Sequence, residues 1–220
     1  MRKIILLSDV MGIWMYNDRK AYKRLTDTFF KKNNIKLELV EKVDKEIFPK
    51  LAQKGREGKL TYKEVIENYF KAMNCKSYKK LAKEYITFEF RNLRKYIRLY
   101  KYSKRILSLL KKSGIRVIGI RDSVYSIKEM KRILKVLKVE KYFDKVYTSN
   151  SLKVEKPRLF NLFKNVKPKL FLGHDDDELL GAKKCGFVTI GLKNRKADYY
   201  ISSIKALPRV IKWLIEKRSL

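Results

Sequence analysis

The hydrophobic pattern of the chain begins with a short apolar run at residues 4–7, which ends abruptly at Ser8 and Asp9. An apolar run of this length, bounded by polar residues, is typical of a buried β-strand. We therefore predict a strand at residues 3–8, with Asp9 at its carboxyl end. A carboxylate at that position of an open α/β sheet lies where such sheets bind ligands, and it can hold a metal or attack an electrophile. The plainer alternative is a capping Asp that closes the turn after the strand.

A long helical region is predicted next, from residue 18 to about residue 101. Apolar residues recur at helical spacing in residues 21–32, 37–53 and 76–100, with a break near Pro49. Thr61 and Glu64 have the spacing of a capping box, which predicts that another helix begins there. No part of this region has the alternation that is typical of strands.

Strands and helices alternate in the pattern after residue 103. Strands are predicted at residues 115–120, 145–148, 169–172, 187–192 and 199–201, and helices at residues 104–112, 126–138, 157–163, 178–185 and 207–217. Such alternation at short spacing indicates a parallel sheet with helices on both faces. We therefore predict an α/β fold with a doubly wound parallel sheet and an inserted all-helical region.

The composition predicts a globular protein without a membrane segment. Of the 220 residues, 45% are hydrophobic and 12% are aromatic, which is unlike a disordered chain. No apolar stretch approaches the roughly 18 residues that a membrane span needs. The apolar run near the start is too short for a signal peptide, so we expect a soluble, cytoplasmic protein. Cys75 and Cys185 are then expected to be free thiols.

The net charge of the chain is strongly positive. It has 55 Lys and Arg against 23 Asp and Glu, a formal charge of +32. Such a field attracts polyanions, including nucleic acid, but it does not define a site. The basic residues are spread along the whole chain rather than gathered in one tract, and many fall on the polar faces of predicted helices.

Candidate chemistry follows two further strands. Lys156-Pro157 comes after the strand at residues 145–148, and the acidic run at residues 175–178 comes after the strand at residues 169–172. In a doubly wound sheet these segments and Asp9 converge on one crevice. Four consecutive carboxylates are costly to hold together without a cation, and Mg²⁺ prefers such oxygen ligands. The alternatives are a solvated helix start for the acidic run and a surface lysine for Lys156.

Taken in order, these segments resemble the haloacid dehalogenase-like (HAD) hydrolase superfamily. Residues 4–12 are similar to its first motif, 109–120 to the second, 137–149 with Lys156-Pro157 to the third, 172–186 to the fourth, and 197–208 to its last strand and helix. The resemblance implies a Rossmann-like core at residues 1–15 and 102–220. It implies that residues 16–101 are a helical cap of the C1 type.

The resemblance also implies a mechanism. Asp9 would attack phosphorus and form an aspartyl-phosphate. Mg²⁺ would be held by Asp9, by the backbone carbonyl of Met11 and by a carboxylate of the fourth motif, with Asp175 the first choice and Asp176 the next. Lys156 would stabilise the nucleophile and the transferring phosphoryl group. The substrate would be a small phosphorylated or otherwise activated molecule.

Met11 departs from the pattern of this family. It replaces the Asp that protonates the leaving group, a step worth about 10²–10⁴ in rate. Hydrolysis of ordinary phosphate monoesters would be slow unless His174 or another residue substitutes for that Asp. Relatives without this Asp include dehalogenases, which work without metal, and phosphonate-cleaving enzymes, which use a lysine of the cap.

Two further positions differ from the family. Arg121 aligns with the Ser or Thr that binds a phosphate oxygen, and Ser123 takes that place if the alignment shifts by two residues. His174 stands where the fourth motif usually has Asp, and Glu178 takes the later acidic position. These differences keep two hypotheses open: a magnesium-dependent hydrolase, or a catalytically impaired HAD-fold protein that binds a polyanion such as nucleic acid.

Overall fold

A six-stranded parallel sheet lies at the centre of the protein, in a computed structural model that describes residues 4–165 and 169–217. The strands of the chain are β1 (Ile5–Asp9), β2 (Met15–Asn17), β3 (Ile97–Leu99), β4 (Arg116–Arg121), β5 (Lys145–Thr148), β6 (Lys169–Gly173), β7 (Val188–Leu192) and β8 (Tyr199–Ile201). The sheet has the order β5-β4-β1-β6-β7-β8. From β1 the chain continues through β4 to β5 on one side of the sheet and then crosses to β6, β7 and β8 on the other side of β1. The carboxyl ends of the neighbouring strands β1 and β6 are therefore the switch point of the fold.

Apolar side chains cover both faces of this sheet. Neighbouring residues of β1 point to opposite sides, so Leu6 joins one hydrophobic cluster and Leu7 joins another. Leu172 and Phe171 of β6 divide in the same way. The helices on the two faces are α6 (Ser103–Lys112), α7 (Ile127–Val136), α8 (Ser149–Leu152), α9 (Asp176–Lys184) and α10 (Leu207–Glu216). The predicted α/β class and doubly wound parallel sheet are confirmed.

The inserted region between β2 and β3 is built from helices, as predicted. They are α1 (Arg19–Lys32), α2 (Leu37–Glu46), α3 (Phe48–Arg56), α4 (Tyr62–Ala72) and α5 (Tyr78–Tyr96). The capping box of Thr61 and Glu64 starts α4, and Pro49 lies in the first turn of α3, where its missing N–H is harmless. No described helix has the length and apolar character that crossing a bilayer would require.

The two ends of this insert form short strands, so the prediction of helix there was wrong. We expected helix through residue 100, but α5 ends at Tyr96 and β3 follows it, pairing antiparallel with β2. Three-residue strands are too short to show alternation, and each forms because the other lies beside it. The pair brings the start and the end of the insert to one place. The segment after Pro157 also differs, since Arg158–Phe163 forms a 3-10 helix.

Other local predictions hold with small shifts in their bounds. Cys75 and Cys185 are free thiols and are half-buried.

Lys3, which the predicted first strand included, lies outside the described residues, as do the outermost residues of the predicted core domain. The division into a core and a cap at residues 16–101 stays a prediction.

Candidate active site

Asp9 lies at the switch point of the sheet, as the last residue of β1. It is 3% exposed, and its backbone pairs with Ile120 of β4. Because the strands are parallel, Arg121 at the end of β4 and His174 directly after β6 lie at the same edge of the sheet. The predicted convergence of strand ends is therefore present, and it brings the side chain of Asp9 into a buried group of charged residues.

Lys156 connects two carboxylates at this edge. Its Nζ donates to Asp9 Oδ1 at 2.8 Å and also to Glu178 Oε1. The lysine side chain is 4% exposed, and this burial alone would lower its pKa, but the charges of Asp9 and Glu178 outweigh it and raise the pKa of Lys156 above its usual value. Lys156 thus stays a cation that neutralises part of the charge of both carboxylates.

The backbone around Lys156 is held by the core. Its N–H donates to Asp122 Oδ1 at 3.1 Å. Gly181 of α9 faces Pro157, and a Cβ on that glycine would come within 2.1 Å of Pro157 Cβ. The absence of a side chain at position 181 therefore lets α9 approach the loop closely, which brings Glu178 within reach of the lysine.

His174 faces the same two carboxylates from the other side. Its Nδ1 lies 3.9 Å from Asp9 Oδ2 and 4.0 Å from Glu178 Oε2. One ligand atom from each of Asp9, His174 and Glu178 lies within 4.8 Å of the others. The imidazole packs over Gly12, where a Cβ would come within 1.9 Å of His174 Nε2. Gly12 also has φ +79°, so this position favours glycine for two reasons.

Glu178 is a buried carboxyl group with one oxygen left unpaired. Burial raises the pKa of Glu178 to about 7, the nearby charge of Asp9 adds to the rise, and Lys156 opposes it. Among the described residues, neither Glu178 Oε2 nor His174 Nδ1 has a hydrogen-bond partner. Buried polar atoms without a partner need an explanation, and two that lie close together form a candidate site for a cation.

These donors fit a divalent cation, but they fit Mg²⁺ only in part. Asp9 Oδ2 and Glu178 Oε2 are the hard oxygen ligands that Mg²⁺ prefers. His174 Nδ1 is an imidazole nitrogen, which suits other metals better. The resemblance implied oxygen ligands for magnesium from Asp9, Met11 and Asp175 or Asp176, and of these side chains only Asp9 belongs to the group of three.

The acidic run divides between the cation donors and the surface. Glu178 shares Lys156 with Asp9, whereas Asp176 Oδ1 accepts from Asn194 Nδ2 at 2.8 Å and Asp177 is exposed. Asp175 is 64% exposed at its side chain, with Oδ2 3.5 Å from His174 Nδ1. The structure thus places Asp175 at the margin of the group and does not bring Asp176 into it.

The sequence signal for Glu178 is its later acidic position in the fourth motif. It lies in the first turn of α9, which begins at Asp176. The resemblance favoured Asp175 and Asp176 instead, because they follow by one and two residues the position at which the fourth motif usually has Asp.

Arg121 and Ser123 lie at the carboxyl end of β4 and make local contacts. Arg121 Nη1 donates to Met130 Sδ at 3.6 Å, and its guanidinium lies 5.8 Å from the centre of the Tyr125 ring. Burial lowers the pKa of Arg121. Ser123 is buried, with its N–H donating to Ser149 Oγ at 2.9 Å and its Oγ accepting from Tyr125 N at 3.1 Å.

Glu89 is a buried acidic residue that the sequence analysis missed. It lies on α5 and is 3% exposed. It accepts hydrogen bonds from Tyr62 Oη, from Tyr125 Oη at 3.1 Å and from Tyr22 Oη at 3.3 Å. Burial raises the pKa of Glu89 above the usual carboxyl range. Its hydroxyl donors come from α1, α4 and the loop after β4, so no local pattern reveals the group.

A cavity of about 530 Å³ opens beside the candidate cation donors. Its lining includes Gly12, His174, Tyr100 and Tyr102, and Lys101 with Lys193 supply positive charge. It lies next to the imidazole face of the charged group.

Solved structures of the same fold include both phosphatases and dehalogenases. The HAD-hydrolase YfnB from Bacillus subtilis, bound to magnesium, is 19% identical with a TM-score of 0.68, covering 96% of this chain and 100% of that one. A HAD phosphatase from Thermococcus onnurineus is 18% identical, with a TM-score of 0.62 and coverage of 96% and 98%. A 2-haloacid dehalogenase from Pseudomonas syringae pv. Tomato is 16% identical, with a TM-score of 0.70 and coverage of 96% and 100%. At these identities the likeness shows the fold.

The sequence itself matches one family model. No curated protein sequence matches the chain. The family model described as haloacid dehalogenase-like hydrolase matches residues 19–169, a range that includes Arg121 and Lys156 but starts after Asp9 and ends before His174. This match covers more than half of the chain, so the protein belongs to the haloacid dehalogenase-like hydrolase family.

Proposed function

We propose that this hydrolase is a phosphatase that acts on a small phosphorylated or otherwise activated molecule through Asp9. The observation that carries the proposal is the buried Asp9 at the switch point, paired at 2.8 Å with a lysine that remains charged. A carboxylate oxygen of Asp9 would attack phosphorus, and the bond from phosphorus to the leaving oxygen would break. Water would then attack the aspartyl-phosphate, which releases phosphate and restores the carboxylate.

Lys156 would hold the charge of this reaction. Its Nζ lies between Asp9 and Glu178, where it keeps the nucleophile oriented and attracts the phosphoryl oxygens. Catalysis of phosphoryl transfer rests mainly on such positioning and charge stabilisation. Arg121, at the end of the neighbouring strand, would bind a phosphate oxygen after leaving its contact with Met130.

A divalent cation would complete the site, and the family suggests Mg²⁺. Asp9, Glu178 and the backbone carbonyl of Met11 would hold it, with Asp175 within reach of the same group. The cation would neutralise the charge that collects on the phosphoryl oxygens.

The substrate would need a leaving group that departs without receiving a proton from the protein. Met11 stands where this family usually has its acid, and a thioether cannot donate a proton. We therefore expect a preference for substrates whose leaving group departs as an anion. The cavity next to His174, with two tyrosines and two lysines, would receive the rest of an anionic substrate.

Turnover of an activated aryl phosphate tests this proposal. We expect wild-type turnover that requires a divalent cation, and a loss of at least about 10³-fold in kcat for Asp9→Asn, because the amide is a poor nucleophile. An alkyl phosphate should react about 10²-fold or more slowly than the aryl phosphate, since the acid is missing. Asp177→Asn is the matched control, because Asp177 is an exposed carboxylate on the same edge and should leave kcat unchanged.

Equal turnover by the wild type and Asp9→Asn across several divalent cations would contradict the proposal. The alternative of a catalytically impaired protein that binds a polyanion would then take its place. That alternative rests on the +32 charge and on the departures from the family pattern at Met11, Arg121 and His174.

A further inference from the structure

We infer that the cation site binds transition-metal ions that take imidazole ligands more tightly than it binds Mg²⁺. Zn²⁺ is the ion with which we would test this. This inference rests on the proposed function for its role in the reaction, since it concerns the same site. It goes further by assigning His174 as a ligand and by naming the class of metal. The chain contains a single histidine, and that residue stands among the donors of the buried charged group.

The hydrogen bonds of Lys156 leave one oxygen of each carboxylate available to a cation. Lys156 takes Oδ1 of Asp9 and Oε1 of Glu178, one oxygen from each carboxylate. The other oxygens, Oδ2 and Oε2, lie 3.9 Å and 4.0 Å from Nδ1 of His174. The described residues supply no hydrogen-bond partner for Nδ1 or Oε2, and the Glu178 side chain is 11% exposed. Two carboxylate oxygens and one nitrogen thus lie within 4.8 Å of one another.

The spacing of these atoms is close to that of a tetrahedral site. With ligand distances of about 2.1 Å, neighbouring ligands around a tetrahedral ion lie roughly 3.4 Å apart. The separations of Nδ1 from the two carboxylate oxygens exceed this value by about half an ångström, which small side-chain rotations cover. Three side-chain ligands then leave a fourth position for water, a phosphoryl oxygen or the backbone carbonyl of Met11, as catalytic zinc sites leave one position beyond their three protein ligands. Asp175 Oδ2, 3.5 Å from Nδ1, is the nearest further carboxylate oxygen.

Gly12 sets the orientation of the imidazole. The ring edge that carries Nε2 packs against Gly12, where even a methyl group would overlap it. Nδ1 is thereby directed at the two carboxylates. The packing against Gly12 therefore fixes the ring of His174 in an orientation that suits a metal ligand.

The nitrogen ligand decides the class of metal. Mg²⁺ takes oxygen ligands in an octahedral arrangement and gains little from an imidazole, whereas Zn²⁺ and its neighbours bind imidazole strongly. An Asp at position 174 would make the donor set all oxygen. The replacement of one ligand atom therefore moves the preference from a hard cation towards a transition ion.

Nitrogen NMR of the single histidine tests the inference directly. We would use untagged, chelator-treated, ¹⁵N-labelled protein, in which His174 gives the only imidazole signals. One equivalent of Zn²⁺ should shift the Nδ1 signal, and excess Mg²⁺ should leave it in place. Because the readout is the ring nitrogen, Zn²⁺ bound at Cys75 or Cys185 does not imitate the result. An Nδ1 signal that Zn²⁺ leaves unchanged would overturn the inference without any variant.

Calorimetry on variants supplies a second test. His174→Asp should lower the affinity for Zn²⁺ by at least about tenfold and raise the affinity for Mg²⁺, because the donor set becomes all oxygen. Asp177→Asn is the control and should bind both ions as the wild type does. Equal Zn²⁺ affinity in His174→Asp and the wild type would also overturn the inference, provided that thermal unfolding shows the variant folded.

The two proposals fail separately. Zn²⁺ binding at Nδ1 without turnover of any aryl phosphate would contradict the phosphatase and leave the metal assignment standing. Turnover that depends on Asp9 and Mg²⁺, with an Nδ1 signal that no metal moves, would support the phosphatase and remove the metal assignment.

Discussion

Lys156 is the residue on which the charge balance of the site depends. It lies between two buried carboxylates, and each accepts a hydrogen bond from its Nζ. A buried ion pair contributes little net stability compared with an apolar pair, but removing one partner leaves a buried charge without compensation. Lys156 is therefore needed both for the proposed reaction and for the stability of the fold.

Lys156→Met should destabilise the protein and abolish turnover. We expect the free energy of unfolding to fall by about 3–5 kcal/mol in excess chelator, because Asp9 and Glu178 lose their shared cation. Denaturant unfolding measures this change. The double variant Lys156→Met/Glu178→Gln should recover part of the loss. A double variant that is less stable than Lys156→Met alone would contradict this account.

Gly12 is the second residue whose identity the site requires. Gly12→Ala should displace His174, lower the Zn²⁺ affinity by at least about tenfold and cost about 1–3 kcal/mol of backbone strain. Gly114→Ala is the matched control, because Gly114 has a similar φ of +74° but nothing within 4 Å of an added Cβ. Unfolding and Zn²⁺ calorimetry of both variants separate strain from overlap. Equal Zn²⁺ affinities in the two variants would contradict the proposed contact.

At the scale of elements, Glu89 links helices of the insert to the core. Its carboxylate accepts from tyrosines of α1 and α4 and from Tyr125 in the loop after β4. The charges of Glu89 and Asp9 both act on Arg121 at the end of β4. The contact between α5 and the sheet edge is therefore polar as well as apolar at this point.

Glu89→Gln should change how stability depends on pH. Burial raises the pKa of Glu89 in the folded protein, so the protonated carboxyl stabilises the fold fully below the ordinary carboxyl pKa, and this contribution is lost as pH rises through the folded value. The stability of the wild type relative to Glu89→Gln should therefore fall as pH rises across that window. Urea unfolding at a series of pH values measures it.

The tyrosine hydroxyls around Glu89 stay protonated throughout this range. Burial raises the pKa of each of them: Tyr22, Tyr62, Tyr85, Tyr96 and Tyr125. Glu84→Gln is the control, because Glu84 is an exposed carboxylate of the same helix and should leave the pH profile unchanged. A pH-independent difference between the wild type and Glu89→Gln would contradict the burial argument.

At the scale of the whole molecule, the net charge of +32 is the dominant property that the site does not explain. Like charges at this density repel each other and oppose the compact state. Exposed ion pairs such as Lys23 with Glu41 contribute little in return.

Added salt should therefore stabilise the protein. Raising NaCl from about 0.01 M to about 0.1 M shortens the screening length from about 30 Å to about 10 Å, which weakens repulsion across the molecule. We expect the urea midpoint of unfolding to rise. The same concentration of sucrose in place of salt is the control for effects of the solute itself. A midpoint that falls with NaCl would mean that attractive pairs outweigh the net repulsion.

Local pattern was sufficient for much of the fold and for part of the site. Apolar periodicity acts within a few turns or strands, so the order of strands and helices after residue 103 and the capping box at Thr61 could be read from neighbouring residues. The strand ends then placed Asp9 and Lys156 at one edge of the sheet. The β2–β3 pair could not be read in this way, because each short strand depends on a partner far along the chain.

The sequence by itself determined an α/β fold with a helical insert and a carboxylate, a lysine and an acidic run at the strand ends. Only the tertiary structure decided that Glu178, rather than Asp176, shares Lys156 with Asp9, because that depends on how α9 is rotated at the end of β6. It also decided the orientation of His174 over Gly12 and the gathering of tyrosines around Glu89. Each of these is set by packing between segments that lie far apart in the chain.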